Sequence, residues 1–294
     1  MKEKYFVGAN NLGLFAYVYD EVESPVAVVQ IIHGMQEHAK RYADFARFLN
    51  KHNIIVIATD LRGHGKTAGE ILGHDDGDIF KLTLEDQKII LNEIHKTYNL
   101  PVFVLGHSYG SFLSQAFLLQ NPNICGLVLS GSTFTDNLLM NSANFISHIC
   151  GMFGTKKEAK LIENMSLKNY GKTFEDGNWL TRDSKVWEEY KADKFCGKPF
   201  PVSFYKSMFS NITKNYKGLK YVNKNLPILL IGGSKDPVSN FGKGLQSLFE
   251  KYKKAGLNVT LKMYEDARHE VLNETNKQEV YTELLNFFKS NIKK

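Results

Sequence analysis

Ser108 stands in Gly106-His107-Ser108-Tyr109-Gly110, a G-x-S-x-G pentapeptide that follows the apolar run PVFVLG and precedes SFLSQAFLLQ, whose apolar residues recur at helical spacing. A sharp strand-to-helix turn would hold this serine in a strained backbone conformation and lift its hydroxyl above the end of a sheet. It would also set the hydroxyl at a helix N-terminus, where free N–H groups and the dipole favour a developing oxyanion. Taken alone, the pattern fits equally a glycine-rich turn that packs a helix on a strand.

A serine hydroxyl attacks only when a base takes its proton, so the catalytic reading requires a histidine and an orienting carboxylate further along the chain. Asp236 in GGSKDPVS ends one apolar run, and His269 in DARHEVLNE follows another. Each has a plainer reading: Asp-Pro is a common turn, His269 fits an exposed loop, and Glu265 or Asp266 competes with Asp236 as the carboxylate. Together the three occur in the order Ser, Asp, His, after runs that a parallel sheet would align on one edge. The turn at Gly34 in IIHGMQEH would bring the Met35 N–H to that edge, and Tyr109 would supply a second N–H for an oxyanion.

Other clusters carry less. His33, His38, His64, His74 and His107, with the run His74-Asp75-Asp76-Gly77-Asp78, invite a metal reading, but their spacing matches neither HExxH nor a calcium loop. A polar turn is expected instead. Gly63 and Gly65 in DLRGHGKT lack the remainder of a phosphate-binding loop.

The elements that must position these residues are legible from periodicity. Strands are predicted at 26–32, 53–60, 101–106, 125–131, 227–233 and 258–264, each a nearly continuous apolar run. Amphipathic helices alternate with them. One carries Tyr42, Phe45, Ala46 and Leu49, one is expected to be capped by Thr83, and the last runs from about Asn276 to Lys289 with Val280, Leu284, Phe287 and Phe288 inward. Fully apolar strands between such helices imply a mostly parallel sheet covered on both faces. FVGANNLGLFAYVYD at the front reads as an antiparallel pair, because its strands are too close in sequence for a crossover. Between 134 and 225 the alternation stops, so this stretch is expected to be a helical cap inserted between core strands, the core itself being 1–133 and 226–294.

The 294-residue chain, 43% hydrophobic and 23% charged, can bury a sizeable core. No run approaches the roughly 18 apolar residues of a membrane span, and the first residues lack the apolar stretch of an export signal. Three widely spaced cysteines, Cys125, Cys150 and Cys196, suit a reducing cytoplasm. The formal net charge of +6 resides wholly in residues 136–225, with 15 Lys and Arg against nine Asp and Glu. Scattered lysines without a recognised module exclude nucleic acid as the expected partner. A solvated face, or attraction to an anionic surface or substrate, remains.

IIHGMQEHAKRY, TDLRGHGKTAGE, LGHSYGSF, GGSKDPVS and DARHEVLNE, in this order, resemble the α/β-hydrolase family of monoacylglycerol lipases and bacterial lysophospholipases, grouped with serine aminopeptidases. The resemblance covers nearly the whole chain and reaches LTRDSKVWEEYKADKFC in the insertion. It implies an α/β-hydrolase fold with Ser108 as nucleophile, Asp236 as acid, His269 as base and Met35 and Tyr109 as oxyanion donors. Gln36 departs from it, since many members carry glycine there. The resemblance further implies a serine hydrolase of lipid esters, monoacylglycerol or lysophospholipid, needing no metal or organic cofactor.

The alternatives are a short-chain carboxylesterase, an aminopeptidase or a silent ligand-binding fold. In the insertion, Leu138, Leu139, Phe145, Ile146, Ile149, Met152 and Phe153 are expected to pack as a cap helix, to form an acyl-chain tunnel, or to act as a lid in transient contact with a membrane or micelle.

Overall fold

The computed structural model describes residues 1–135, 137–165 and 167–292, and at residues 137–140, 167 and 168 the backbone only. The chain begins with β1 (Lys2–Val7), β2 (Gly13–Tyr19) and β3 (Ala27–Ile32), followed by α1 (Ala43–Asn50), β4 (Ile54–Thr59) and α2 (Ile79–Tyr98). Next come β5 (Val102–His107), α3 (Tyr109–Leu118) and β6 (Gly126–Ser130). The stretch expected to be an insertion holds α4 (Asn137–Met152), α5 (Lys160–Met165), α6 (Leu167–Gly171), α7 (Ser184–Ala192) and α8 (Val202–Ile212). The chain then returns through β7 (Ile228–Gly233), α9 (Lys243–Lys254), β8 (Val259–Tyr264) and α10 (Lys277–Asn291).

The strands form one eight-stranded sheet in the order β1-β2-β4-β3-β5-β6-β7-β8. β1 pairs antiparallel with β2 and β2 with β4, as the short connection between the first two requires. All remaining neighbours are parallel. Their apolar continuity follows from burial on both faces: Val28, Ile32, Val104 and Leu230 belong to one hydrophobic cluster, and Val29, Ile31, Leu105 and Ile231 to the other. Side chains of α2, α3, α8 and α9 close the first cluster, those of α1 and α10 the second. Between β6 and β7 the described residues form no strand, only an isolated bridge from Glu158 to Pro201.

Two local expectations are corrected. Thr83 lies one turn inside α2 and its hydroxyl donates to the Ile79 carbonyl, while the cap is Asp78, whose carboxylate accepts from Lys81 N. Aspartate accepts such N–H groups well, and the aspartate run before α2 concealed which of its members does so. In α10, Val280, Leu284 and Phe288 are buried as expected, but Phe287 is half-buried and meets Phe103 at the helix flank.

Candidate active site

β5 ends at His107, and the chain turns into α3 through Ser108, whose φ of 51° and ψ of −116° fall outside the regions a side chain favours. Close approach explains both flanking glycines. A Cβ on Gly110 would collide with the Ile32 and His33 carbonyl oxygens, and one on Gly106 with Ser114 Oγ and the Gly110 carbonyl. Ser108 N donates to the Ser130 carbonyl of β6 at 2.9 Å, which ties the strained turn to the sheet.

The strand ends bring the three expected groups together. His269 Nε2 lies 2.9 Å from Ser108 Oγ, and His269 Nδ1 lies 3.0 Å from Asp236 Oδ1. Asp236 is fully buried after β7, and its Oδ1 also accepts from Val238 N at 2.9 Å. Glu265 and Asp266, the competing carboxylates, are exposed. The carboxylate fixes Nδ1 as the proton-bearing nitrogen and leaves Nε2 free to take the serine proton.

Burial opposes charge on His269, yet the charge and hydrogen bond of Asp236, with Glu270 and Glu37 nearby, raise its pKa above the ordinary value. A hydrolysis that needs neutral imidazole is therefore lost as pH falls through that raised pKa. The acid limb of kcat/KM should have its midpoint above about 6.5. Rate measurements from pH 5 to 9 check this, and a midpoint below that value contradicts it.

Met35 and Tyr109 line the same cavity as Ser108, and neither backbone N–H donates to an acceptor among the described residues. A Cβ built on Gly34 would lie 3.2 Å from Ser108 Cβ, so the Gly34-Met35 turn rests against the serine. Two unengaged donors beside a nucleophile are the arrangement an oxyanion hole requires.

The sequence reading did not find the charged group that braces this turn. Glu37 Oε1 accepts from Gly34 N at 2.5 Å and from Tyr42 Oη at 2.9 Å, while its Oε2 accepts from Arg41 at 2.7 Å. Arg41 also forks onto both oxygens of Glu270 at 2.7 and 2.6 Å. Glu270 follows His269 directly, so one guanidinium joins the Gly34-Met35 turn to the loop that carries His269. Burial disfavours charge on both acids. Arg41 nevertheless holds Glu270 at about 2, whereas Glu37, buried and facing Glu270, is raised.

Removing Arg41 would strand two buried carboxylates, so Arg41→Ala should cost about 3–5 kcal/mol of stability in urea unfolding. Lysine should restore little, because it cannot form the fork. Glu37 and Arg41 are four residues apart, a visible signal, but Glu270 lies 229 residues from Arg41.

A cavity of about 570 Å³ opens at Ser108. Its apolar wall includes Phe112, Phe134, Tyr205, Met208, Phe209 and Ile212, the last four from α8. No described side chain of α4 is among the lining residues. Phe145, Ile149, Met152 and Phe153 are exposed, and Ile146 packs partly on the core. Among the alternatives for this stretch, these exposed side chains fit a lid, while α8 supplies the wall expected of a tunnel. The side chains of Leu138 and Leu139 lie outside the described residues.

Trp179, before α7, lies 5.2 Å from the His269 ring, centroid to centroid, and its carbonyl accepts from His269 N. The segment before α7 therefore covers His269 as well as bordering the pocket.

The histidines considered as ligands are dispersed into separate bonds. His33 Nε2 accepts from Leu61 N, His64 Nδ1 meets the Arg62 carbonyl, His74 meets Ser203 and Asp76, and His107 meets Ser130. Among the described residues only His38, Asp193 and Cys196 bring three ligand-type atoms within 4.8 Å of one another. His38 Nε2 is already engaged with Asp193 Oδ2 at 2.9 Å, and burial raises the Cys196 thiol far above its ordinary pKa, so the group ties the loop after β3 to the segment after α7. No described helix is long and apolar enough to cross a membrane.

With this geometry in place, comparison with known proteins gives concordant findings. The family described as serine aminopeptidase, S33, matches residues 23–276. The monoglyceride lipase of Rattus norvegicus is 28% identical over 268 residues, covering 90% of this chain and 82% of that protein. The monoacylglycerol lipase of Mycolicibacterium smegmatis is 27% identical, covering 99% of this chain and 98% of the relative. Among solved structures, a lipase in an open form superposes with a TM-score of 0.86 at 27% identity, covering 100% of this chain and 99% of the other.

Proposed function

Because this chain belongs to the serine aminopeptidase S33 family of α/β-hydrolases, we propose that it hydrolyses carboxylic esters of lipids, monoacylglycerol or lysophospholipid, through an acyl-enzyme on Ser108. The observation that carries the reading is an aromatic and aliphatic cavity of about 570 Å³ that opens at a serine hydroxyl 2.9 Å from a histidine held by a buried aspartate.

His269 takes the Ser108 proton as Oγ adds to the ester carbonyl, and the Met35 and Tyr109 N–H groups receive the charge on the carbonyl oxygen. The same proton goes to the leaving alcohol. Water activated by His269 then releases the fatty acid. Asp236 stays ionised throughout and orients the imidazole. Residues 134–225 act as a cap whose α8 forms the acyl-chain wall.

Each methylene buried on that wall is worth up to about 0.8 kcal/mol. The kcat/KM for p-nitrophenyl octanoate should therefore exceed that for the acetate by at least about tenfold. Preference for acetate would remove the lipid reading, and a panel of monoacylglycerols and lysophospholipids would identify the head group.

An aminopeptidase would hold a substrate ammonium with carboxylates. Glu37 and Glu270 line the cavity, but both are already committed to Arg41, so aminoacyl anilides should not be turned over.

The cap also suits contact with a lipid surface. Phe145, Ile149 and Met152 recur at helical spacing on the exposed side of α4, with Phe153, Leu161 and Met165 exposed nearby and Lys156, Lys157 and Lys160 between the two groups. Three cysteines without a disulfide suit a cytoplasmic enzyme.

A further inference from the structure

Gln36 sits between Met35, whose N–H is the proposed oxyanion donor, and Glu37, which braces the turn. Its φ of 57° lies in the left-handed region, where glycine would sit without strain. The side chain is nevertheless present and almost fully buried. Its Nε2 donates to Glu163 Oε1 of α5 at 2.8 Å.

That same oxygen accepts from Phe200 N and from Tyr205 Oη, each at 2.9 Å. Tyr205 in turn forms part of the acyl-chain wall. The Gln36 carbonyl is held from the insertion as well, accepting from Gly197 N at 3.0 Å and from Tyr190 Oη at 3.1 Å. One residue of the core turn is thus gripped through both its side chain and its backbone by the part of the protein that receives the acyl group.

We propose that Gln36 is a positioning residue, which sets the Met35 N–H through its bond to Glu163 according to how the insertion and its Tyr205 wall are seated. Filling the wall presses on Tyr205, which shares the Glu163 oxygen with Gln36, and the Gly34-Met35 peptide follows. The backbone N–H is then delivered when the acyl chain is in place. The strained φ is retained because a glycine, though it keeps the two carbonyl bonds, would lose the bond to Glu163. This inference rests on the reading of Ser108 as nucleophile and Met35 N–H as oxyanion donor.

The test compares kcat, KM and thermal stability of the full chain and its variants on p-nitrophenyl octanoate. Loss of a whole oxyanion donor lowers kcat by about 10²–10³-fold. A donor left in place but released from its brace should lose part of that, so Gln36→Gly should lower kcat about tenfold with KM changed less than about twofold. Gln36→Asn, which tolerates the left-handed conformation but cannot reach Glu163, should fall in the same direction.

Gln36→Glu should lose more, because two carboxylates then face each other, and adding Glu163→Gln should return most of the lost kcat by restoring a donor–acceptor pair in the opposite sense. A merely structural role would lower the melting temperature and leave kcat intact below it. Unchanged kcat in Gln36→Gly and Gln36→Asn, or a reciprocal double variant no better than Gln36→Glu, overturns the proposal. Ser108→Ala run in parallel separates the two readings. If it is inactive while Gln36→Gly keeps wild-type kcat, only the coupling fails; if it stays active, the assignment of the nucleophile fails and the coupling with it.

Discussion

Ser108→Ala should lower kcat on ester substrates by at least about 10⁴-fold and abolish labelling by a fluorophosphonate, with the fold intact. The size follows from what the hydroxyl does. Without Oγ there is no acyl-enzyme, and only water held over the oxyanion donors remains to attack. The loss in stability should be small, because among the described residues Oγ is bonded only to His269 Nε2, while Ser108 N keeps its bond to Ser130 and the Ser108 carbonyl its bond from Ser111 Oγ. Intact-mass measurement of labelled wild type and variant, with circular dichroism of both, checks the prediction. Labelling that persists in the variant places the nucleophile elsewhere.

Asp236→Asn should reduce kcat by about 10⁴-fold with little change in the position of the imidazole. The carboxylate accepts from His269 Nδ1 at 3.0 Å, whereas an asparagine can present its amide as a donor to that nitrogen. The ring would then carry its proton on Nε2, 2.9 Å from Ser108 Oγ, and could not accept the serine proton. Burial makes the error costly, since Asp236 is fully shielded and its Oδ2 has no partner among the described residues, leaving the amide little else to bond. Activity should recover at alkaline pH if hydroxide substitutes for the missing base. Near wild-type kcat at neutral pH would remove Asp236 from the mechanism and leave the orientation of His269 to its other neighbours.

The two changes act on one relay and should not add. In the Ser108→Ala background, Asp236→Asn should produce little further loss, because residues that work as a unit are all disabled by the first removal.

The sequence alone determined the features that depend on local order. Apolar runs of strand length must be buried on both faces, which fixed the parallel sheet. G-x-S-x-G at a strand-to-helix junction leaves no side chain two residues to either side of the serine, which permits the tight turn that sets its hydroxyl at the sheet edge. Asp236 and His269 were legible for the same reason, as polar residues just beyond two further strands. Their competitors Glu265 and Asp266 could be dismissed only in three dimensions, because a few residues decide between a buried position beside the imidazole and an exposed one.

Only the tertiary structure decided which apolar helix forms the pocket wall. α4 and α8 both carry large apolar side chains, and periodicity specifies a face without saying what it meets. It also decided that Arg41 spans from Glu37 to Glu270 and that Gln36 reaches Glu163, pairs separated by up to 229 residues. Such contacts arise from packing the helices between β6 and β7 against the strand-end loops, and no spacing along the chain encodes them.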